Sequence, residues 1–281
     1  MDKKFNIFHH IDQKTIDSMY NEYSPVFVLS TGRSGSKFLH TIISQCDDIQ
    51  SNHEAFPTLQ YFSNFAFHNQ EKQELLSAMF NASRMELILD AYNNNKLFFE
   101  SNQCHVFFAN AIAILFKKAK FIHLIRHPGD FICSAIKKGW HLNDTIWEAG
   151  RVKMSYEEEW QKLDQVQKLA WTWQITNDFI RCFFENQDHE RLLTVKLEDL
   201  TSQKESVSKV LSFIGSKNII KEEIIRQLQG NKVNELFIHH LEPVNMKKVK
   251  EYPTFATWSN ETKGRISKYL DKLSLYYDYK I

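Results

Sequence analysis

Cysteine, proline and glycine are scarce, with four, five and eight among 281 residues. The cysteines, Cys46, Cys104, Cys133 and Cys182, lie far apart, without C-x-x-C spacing or accompanying histidine pairs. That pattern excludes a disulfide framework and speaks against a zinc site, so the thiols read as ordinary reduced side chains and no metal is expected. No proline-, glycine- or serine-rich linker interrupts the chain, and no segment repeats with a period of roughly 20–50 residues, which favours one domain over two. Charge of one sign is lacking too. Thirty-five Lys and Arg against 34 Asp and Glu leave a formal net charge of +1, which offers no general attraction for nucleic acid or an anionic membrane. Long hydrophobic runs are missing: the opening MDKKFNIFHH lacks the apolar core of a signal peptide, and no run of about 18 apolar residues occurs anywhere. A cytoplasmic protein without a membrane span is expected.

What is present suits a large α/β domain. Apolar residues make up 43% of the chain and aromatic residues 14%, enough for a sizeable core. Strand-length apolar runs occur at Pro25–Ser30, Lys96–Glu100, Lys120–Arg126 and Arg191–Leu197. Between and after them, helical periodicity marks Lys37–Cys46, Leu75–Ala91, His105–Lys117, Leu163–Phe184 and Glu205–Ile214. Strands that are apolar throughout predict a central, mainly parallel sheet covered by helices on both faces. The expected organisation is an N-terminal extension over 1–24 and one α/β domain over 25–281. Asn93–Asn95 reads as a turn, and Gly139–Glu159 as a polar, aromatic-bearing insertion over a site.

Because glycine is rare, two glycines close together are informative. Gly32 and Gly35 fall between the first strand and its helix, in Ser30-Thr-Gly-Arg-Ser-Gly-Ser-Lys37. Unpaired N–H groups at a helix N-terminus attract anions, glycine lets the backbone curl round one, and Arg33, Ser34, Ser36 and Lys37 add donors. A Walker A loop would need Gly at Ser30 and Lys at Ser36, so an ordinary nucleotide hydrolase or a small-molecule kinase is the weaker reading.

The junction resembles the 5′-phosphosulfate loop of the sulfotransferases that use 3′-phosphoadenosine 5′-phosphosulfate (PAPS), written T-Y-P-K-S-G-T-T-W or P-R-S-G-T-T. A second segment, KFIHLIRHPGDFICS, resembles the family's 3′-phosphate motif R-[ND]-P-x-D-x-x-x-S, with Arg126, Pro128, Asp130 and Ser134 at matching spacing. Trp171-x-Trp173-x-x-x-Asn177, Thr194-Val-Lys-Leu-Glu198-Asp199-Leu200, and Phe255-Ala-Thr-Trp258 with a closing Tyr279 are similar to lesser family elements, though tryptophans at such spacing are commonly core.

This resemblance implies a P-loop-like sulfotransferase fold and transfer of a sulfuryl group from PAPS to a hydroxyl or amine, releasing 3′-phosphoadenosine 5′-phosphate (PAP), with no metal. It implies that Arg33 stabilises the leaving oxygen, that Ser34, Gly35 and Ser36 cradle the 5′-phosphate, that Phe38 stacks on adenine, and that Arg126 and Ser134 hold the 3′-phosphate. Lys37 replaces the usual Thr, and its ammonium either adds a contact to the sulfate or points to solvent. The family's basic C-terminal element is missing near Trp258, where Lys247, Lys248 and Lys250 are the nearby substitutes. Two residues compete as the base. Glu54 lies in His53-Glu54-Ala-Phe-Pro57, similar to an H-E-x-x-P element, and a base there needs partial burial. His105 closes Glu100-Ser-Asn-Gln-Cys-His105, similar to E-K-T-P-x-H without its Lys and Pro. The acceptor is a small molecule, glycan or lipid, with Phe56, Tyr61, Phe62, Phe65 and Phe67 as candidate pocket residues. A family member that binds PAP without turnover is the non-enzymatic alternative.

Overall fold

Strand β1 (Val26–Leu29) is buried at all four positions because Phe27 and Leu29 face one helical layer while Val26 and Val28 face another. The computed structural model describes residues 12–142, 146–218 and 252–281, together with 220, 223, 225 and 226. β1 lies between β3 (Leu97–Ser101) and β4 (Lys120–Ile125), with β2 (Ile49–His53) and β5 (Leu192–Lys196) on the edges. The order is β2-β3-β1-β4-β5 and every pairing is parallel, which sharpens the expectation of a mainly parallel sheet. All five carboxyl ends therefore open on one edge, and the chain leaves β1 towards β2 but leaves its neighbour β4 towards β5, so the strand order reverses between β1 and β4.

The helices are α1 (Gln13–Glu22), α2 (Ser36–Ile43), α3 (Gln60–His68), α4 (Gln73–Asn93), α5 (Ala109–Leu115), α6 (Pro128–Lys137), α7 (Ile146–Ala149), α8 (Glu157–Lys162), α9 (Gln165–Glu185), α10 (Leu197–Ser202), α11 (Lys204–Ile214) and α12 (Asn260–Tyr276). Their ends follow local chemistry. Asp164 and Gln167 form a reciprocal capping box on α9, Ser259 caps α12, and Gly215 ends α11 at φ +81°. The helix expected from His105 opens instead as a 3₁₀ turn, Gln103–Phe108, in which Asn102 accepts from the Cys104 N–H, and only then becomes α5. Asn95, at φ +53°, makes the expected turn before β3. Part of the segment expected as an extension packs into the domain, since Met19 of α1 is fully buried against the β1 layer and Tyr23 hydrogen-bonds the Lys96 carbonyl and the Phe98 N–H. No helix among the described residues is long and apolar enough to cross a membrane.

Two core histidines titrate abnormally. His105 packs edge-on against Phe27 and Phe80, His123 shares a hydrogen bond with Asn177, and burial pushes both down to about 4. As pH falls below the ordinary histidine value, the unfolded chain takes up protons that the folded chain refuses until about pH 4. Stability should therefore fall steadily between roughly pH 6.5 and 4. A urea midpoint near pH 5 that equals the one at neutral pH would show that these rings are not buried neutral.

Candidate active site

The β1–α2 loop is built from backbone that side chains rarely tolerate. Gly32, Arg33 and Gly35 have φ of +74°, +51° and +88°, so the chain curls tightly before entering α2. A side chain at either glycine would be strained and would meet neighbouring side chains. A Cβ on Gly32 would lie 2.2 Å from Gln103 Oε1 and 3.0 Å from the Trp140 ring, and one on Gly35 would lie 2.2 Å from Leu197 Cδ1. Gly35 caps α2 in the left-handed region and makes no side-chain cap bond, and the N–H groups of a helix start are the kind of donor an anion can take up. The Ser34 hydroxyl is buried, donates to the Gly32 carbonyl at 3.0 Å and lies 2.8 Å from Thr31 Oγ1, so it shapes the loop from within. The Ser36 carbonyl accepts from Ser101 Oγ at 3.2 Å, tying the start of α2 to the end of β3.

Arg33 is the meeting point of the two sequence motifs. Its Nε donates to Ser134 Oγ on α6 at 3.1 Å, and its carbonyl accepts from Arg126 Nη1 at 2.9 Å. Ser134 is thus joined to Arg33, and Arg126 reaches the same loop from the end of β4. Asp130 is exposed and makes no ion pair with Arg126 among the described residues. The indole Nε1 of Trp173, fully buried on α9, donates to the Arg126 carbonyl at 3.0 Å, so the tryptophan is core and also fixes the strand end. Trp171 packs against Phe67 and Trp160.

Glu54 follows β2 at the same sheet edge, at φ +48°, with its N–H donating to the Ser101 carbonyl at 3.1 Å. It is exposed, so the partial burial expected of a base is not met in the protein alone. It shares its field with Lys37 and Arg151. Burial lowers the Lys37 pKa, Glu54 opposes that shift, and Lys138 and Arg33 add to it, which places three cations and one carboxylate in one field. Glu54 likewise favours the charged form of Arg151, whose guanidinium stacks 3.6 Å over Trp140 and pairs with Glu148 at 2.6 Å. The loop after Glu54 is held from beneath by fully buried Arg84, which donates to the carbonyls of Ala55 (3.1 Å) and Pro57 (2.8 Å) and forks onto Glu100 (2.6 and 3.0 Å).

Two of the expected residues are covered. His105 has no exposed surface, sits between Phe27 and Phe80 with Nε2 3.5 Å from Glu100 Oε1, and is sealed from any acceptor. Phe38 is only 7% exposed within the cluster between α2 and the sheet, which leaves little ring to stack on adenine. Of the proposed pocket aromatics, Phe65 and Phe67 pack against the core, whereas Phe56, Tyr61 and Phe62 are exposed. Lys247, Lys248 and Lys250 lie outside the described residues. Within the stretch over 139–159, Trp140 reaches the loop at Gly32 and Arg151 stacks on Trp140, two residues that composition alone did not single out. Among the described residues no cluster of histidine, cysteine or carboxylates has metal-binding geometry.

A model of the sulfotransferase family matches residues 25–217, and the chain belongs to that family. Among solved structures, the fold is similar to the sulfotransferase domain of the curacin biosynthetic pathway, at 16% identity and a TM-score of 0.53 over 93% of this chain and 99% of that one. It is also similar to the sulfotransferase domain of the Synechococcus PCC 7002 olefin synthase (16%, TM-score 0.53, 92% and 97%) and to a sulfotransferase from Alicyclobacillus acidocaldarius (13%, TM-score 0.51, 92% and 97%). These identities speak for the fold alone. No curated protein sequence matches the chain.

Proposed function

We propose that this protein is a cytoplasmic sulfotransferase that moves a sulfuryl group from PAPS to a hydroxyl or amine of a small-molecule, glycan or lipid acceptor. The observation that carries the reading is the convergence on Arg33: a left-handed loop, the start of α2, Ser134 from α6 and Arg126 from β4 all meet at one residue. The donor set fits a phosphosulfate chemically, because backbone N–H groups and Arg33, Lys37 and Lys138 supply positive potential where the ligand carries its charge. It fits the adenine less well, since Phe38 is covered. PAPS supplies a sulfuryl group on a good leaving oxygen. As the acceptor oxygen bonds to sulfur, the sulfur–oxygen bond to the phosphate breaks and PAP leaves with that electron pair.

Each residue then has a physical task. Arg33 meets the charge that grows on the leaving oxygen and acts electrostatically, since guanidinium keeps its proton. Glu54 takes the proton from the acceptor, and Lys37 and Arg151 share its field. Arg126 holds the 3′-phosphate. The kinase reading lacks its Walker lysine and gains nothing from this arrangement.

The test needs no acceptor. PAP should raise the melting temperature more than ATP with magnesium does, the gain reaching about 2.7 kcal/mol at 100 times Kd. Arg126→Ala should cost roughly 1.5–3 kcal/mol in PAP binding while leaving adenosine 5′-phosphosulfate nearly untouched. Equal losses for both ligands in calorimetry would remove Arg126 from the 3′-phosphate.

A further inference from the structure

Arg126 can serve the loop only if the chain leaving β4 is held still, and the grip on that exit comes from elements far away in sequence. The Arg126 carbonyl is taken by Trp173. The next backbone group, the His127 N–H, donates to Glu198 Oε1 at 2.9 Å, and the other oxygen of that carboxylate accepts from the Tyr279 hydroxyl at 3.0 Å. Glu198 lies two residues beyond β5, whose Lys196 is in register with Ile125 at the sheet edge. Tyr279 follows α12, fixed by its own N–H on the Ser274 carbonyl.

The side chains close the same arrangement. The His127 ring stands edge-on to Tyr279 at 5.4 Å and shares a hydrogen bond with the Lys280 carbonyl at 2.8 Å, while Phe255 covers Gly129, where a Cβ would lie 2.1 Å from its ring. Lys196 lies 4.9 Å from the Tyr279 ring centre. Burial and the neighbouring Glu198 carboxylate push the Tyr279 phenol well above its ordinary value, and Arg126 acts on it in the opposite sense, so phenol and guanidinium share one field.

We infer that Glu198 and Tyr279 form a latch that positions Arg126, and that Tyr279 thereby sets the affinity for the 3′-phosphate of the donor without touching it. The latch rests on the reading of Arg126 as the 3′-phosphate ligand. Glu198 holds the strand exit because both carboxylate oxygens are engaged, one by the His127 N–H and one by Tyr279. Removing the phenol hydroxyl frees one oxygen, lets the carboxylate rotate and loosens the His127 amide, while the ring packing stays in place.

The test uses the full chain, PAP and adenosine 5′-phosphosulfate in calorimetry. Tyr279→Phe should weaken PAP about fivefold to tenfold and leave adenosine 5′-phosphosulfate within about twofold, with the melting temperature nearly constant. Glu198→Gln, which keeps one carbonyl acceptor, should show the same selectivity. In an Arg126→Ala background, Tyr279→Phe should cost nothing further, since it acts through the residue already removed. A loss shared by both ligands, or one that adds fully to Arg126→Ala, would make Tyr279 merely structural and overturn the latch. If Arg126→Ala itself spares PAP, the donor-site assignment fails first and the latch falls with it, which separates the two failures.

Discussion

Arg33→Ala is expected to lower kcat by about 10²–10³-fold while the KM for PAPS and the affinity for PAP change little. The reason lies in what Arg33 holds before reaction. Its Nε is bonded to Ser134 and its carbonyl to Arg126, so the side chain is oriented without donor present, and its full charge is called upon only as the leaving oxygen becomes anionic. The loop should survive the change, because the left-handed turn is supported on both sides by Gly32 and Gly35 and the Arg126 bond goes to a backbone carbonyl that alanine retains. Arg33→Lys, which installs the residue of the T-Y-P-K-S-G loops, should recover part of the rate, as a compact ammonium restores charge but not the guanidinium fork. Single-turnover transfer of labelled sulfate, once pooled alcohols, phenols, glycans and amines have yielded an acceptor, checks this directly. A raised KM with unchanged kcat would place Arg33 in ground-state binding and remove it from the chemistry.

The parts of this site legible in the sequence are those that one continuous segment encodes. The loop around Gly32 and Gly35 and the strand exit at Arg126 each carry their own glycines, hydroxyls and flanking strand, so their residue types and spacing suffice. β2 was missed because Ile49-Gln-Ser-Asn-His53 is an edge strand, buried at Ile49 and only partly covered beyond it, and it lacks the apolar run that marks its neighbours. Which side chains meet is a tertiary matter. Spacing related Ser134 to Arg126, and the bond of its hydroxyl to Arg33, 101 positions away, is what the fold adds. His105 had the right sequence neighbourhood for a base, but the 3₁₀ turn at Gln103–Phe108 directs it under the sheet, where Phe27 and Phe80 enclose it. Arg151 gave no signal in a polar stretch because its meaning comes from Trp140 and Glu148, which fold around it.

Glu54→Gln is expected to slow the chemical step by about 10²–10⁴-fold with a hydroxyl acceptor, leaving PAP affinity close to wild type. Glutamine keeps the size and most of the hydrogen bonding, and the backbone around it should not move, since Arg84 holds the Ala55 and Pro57 carbonyls and the Glu54 N–H is fixed on Ser101. What is lost is the ability to take a proton. His105→Asn should behave differently, with reduced stability from disturbing the ring packed against Phe27 and Phe80 but with the transfer step of the folded fraction nearly intact. Glu54 is exposed and shares its field with Lys37 and Arg151, so the acceptor can reach its carboxylate directly. Single-turnover rates between about pH 5.5 and 9 decide the matter. A near-normal Glu54→Gln beside a large loss in His105→Asn would require the buried ring to be reached by a rearrangement of the Gln103–Phe108 turn, and would move the base from the sheet edge to the layer beneath it.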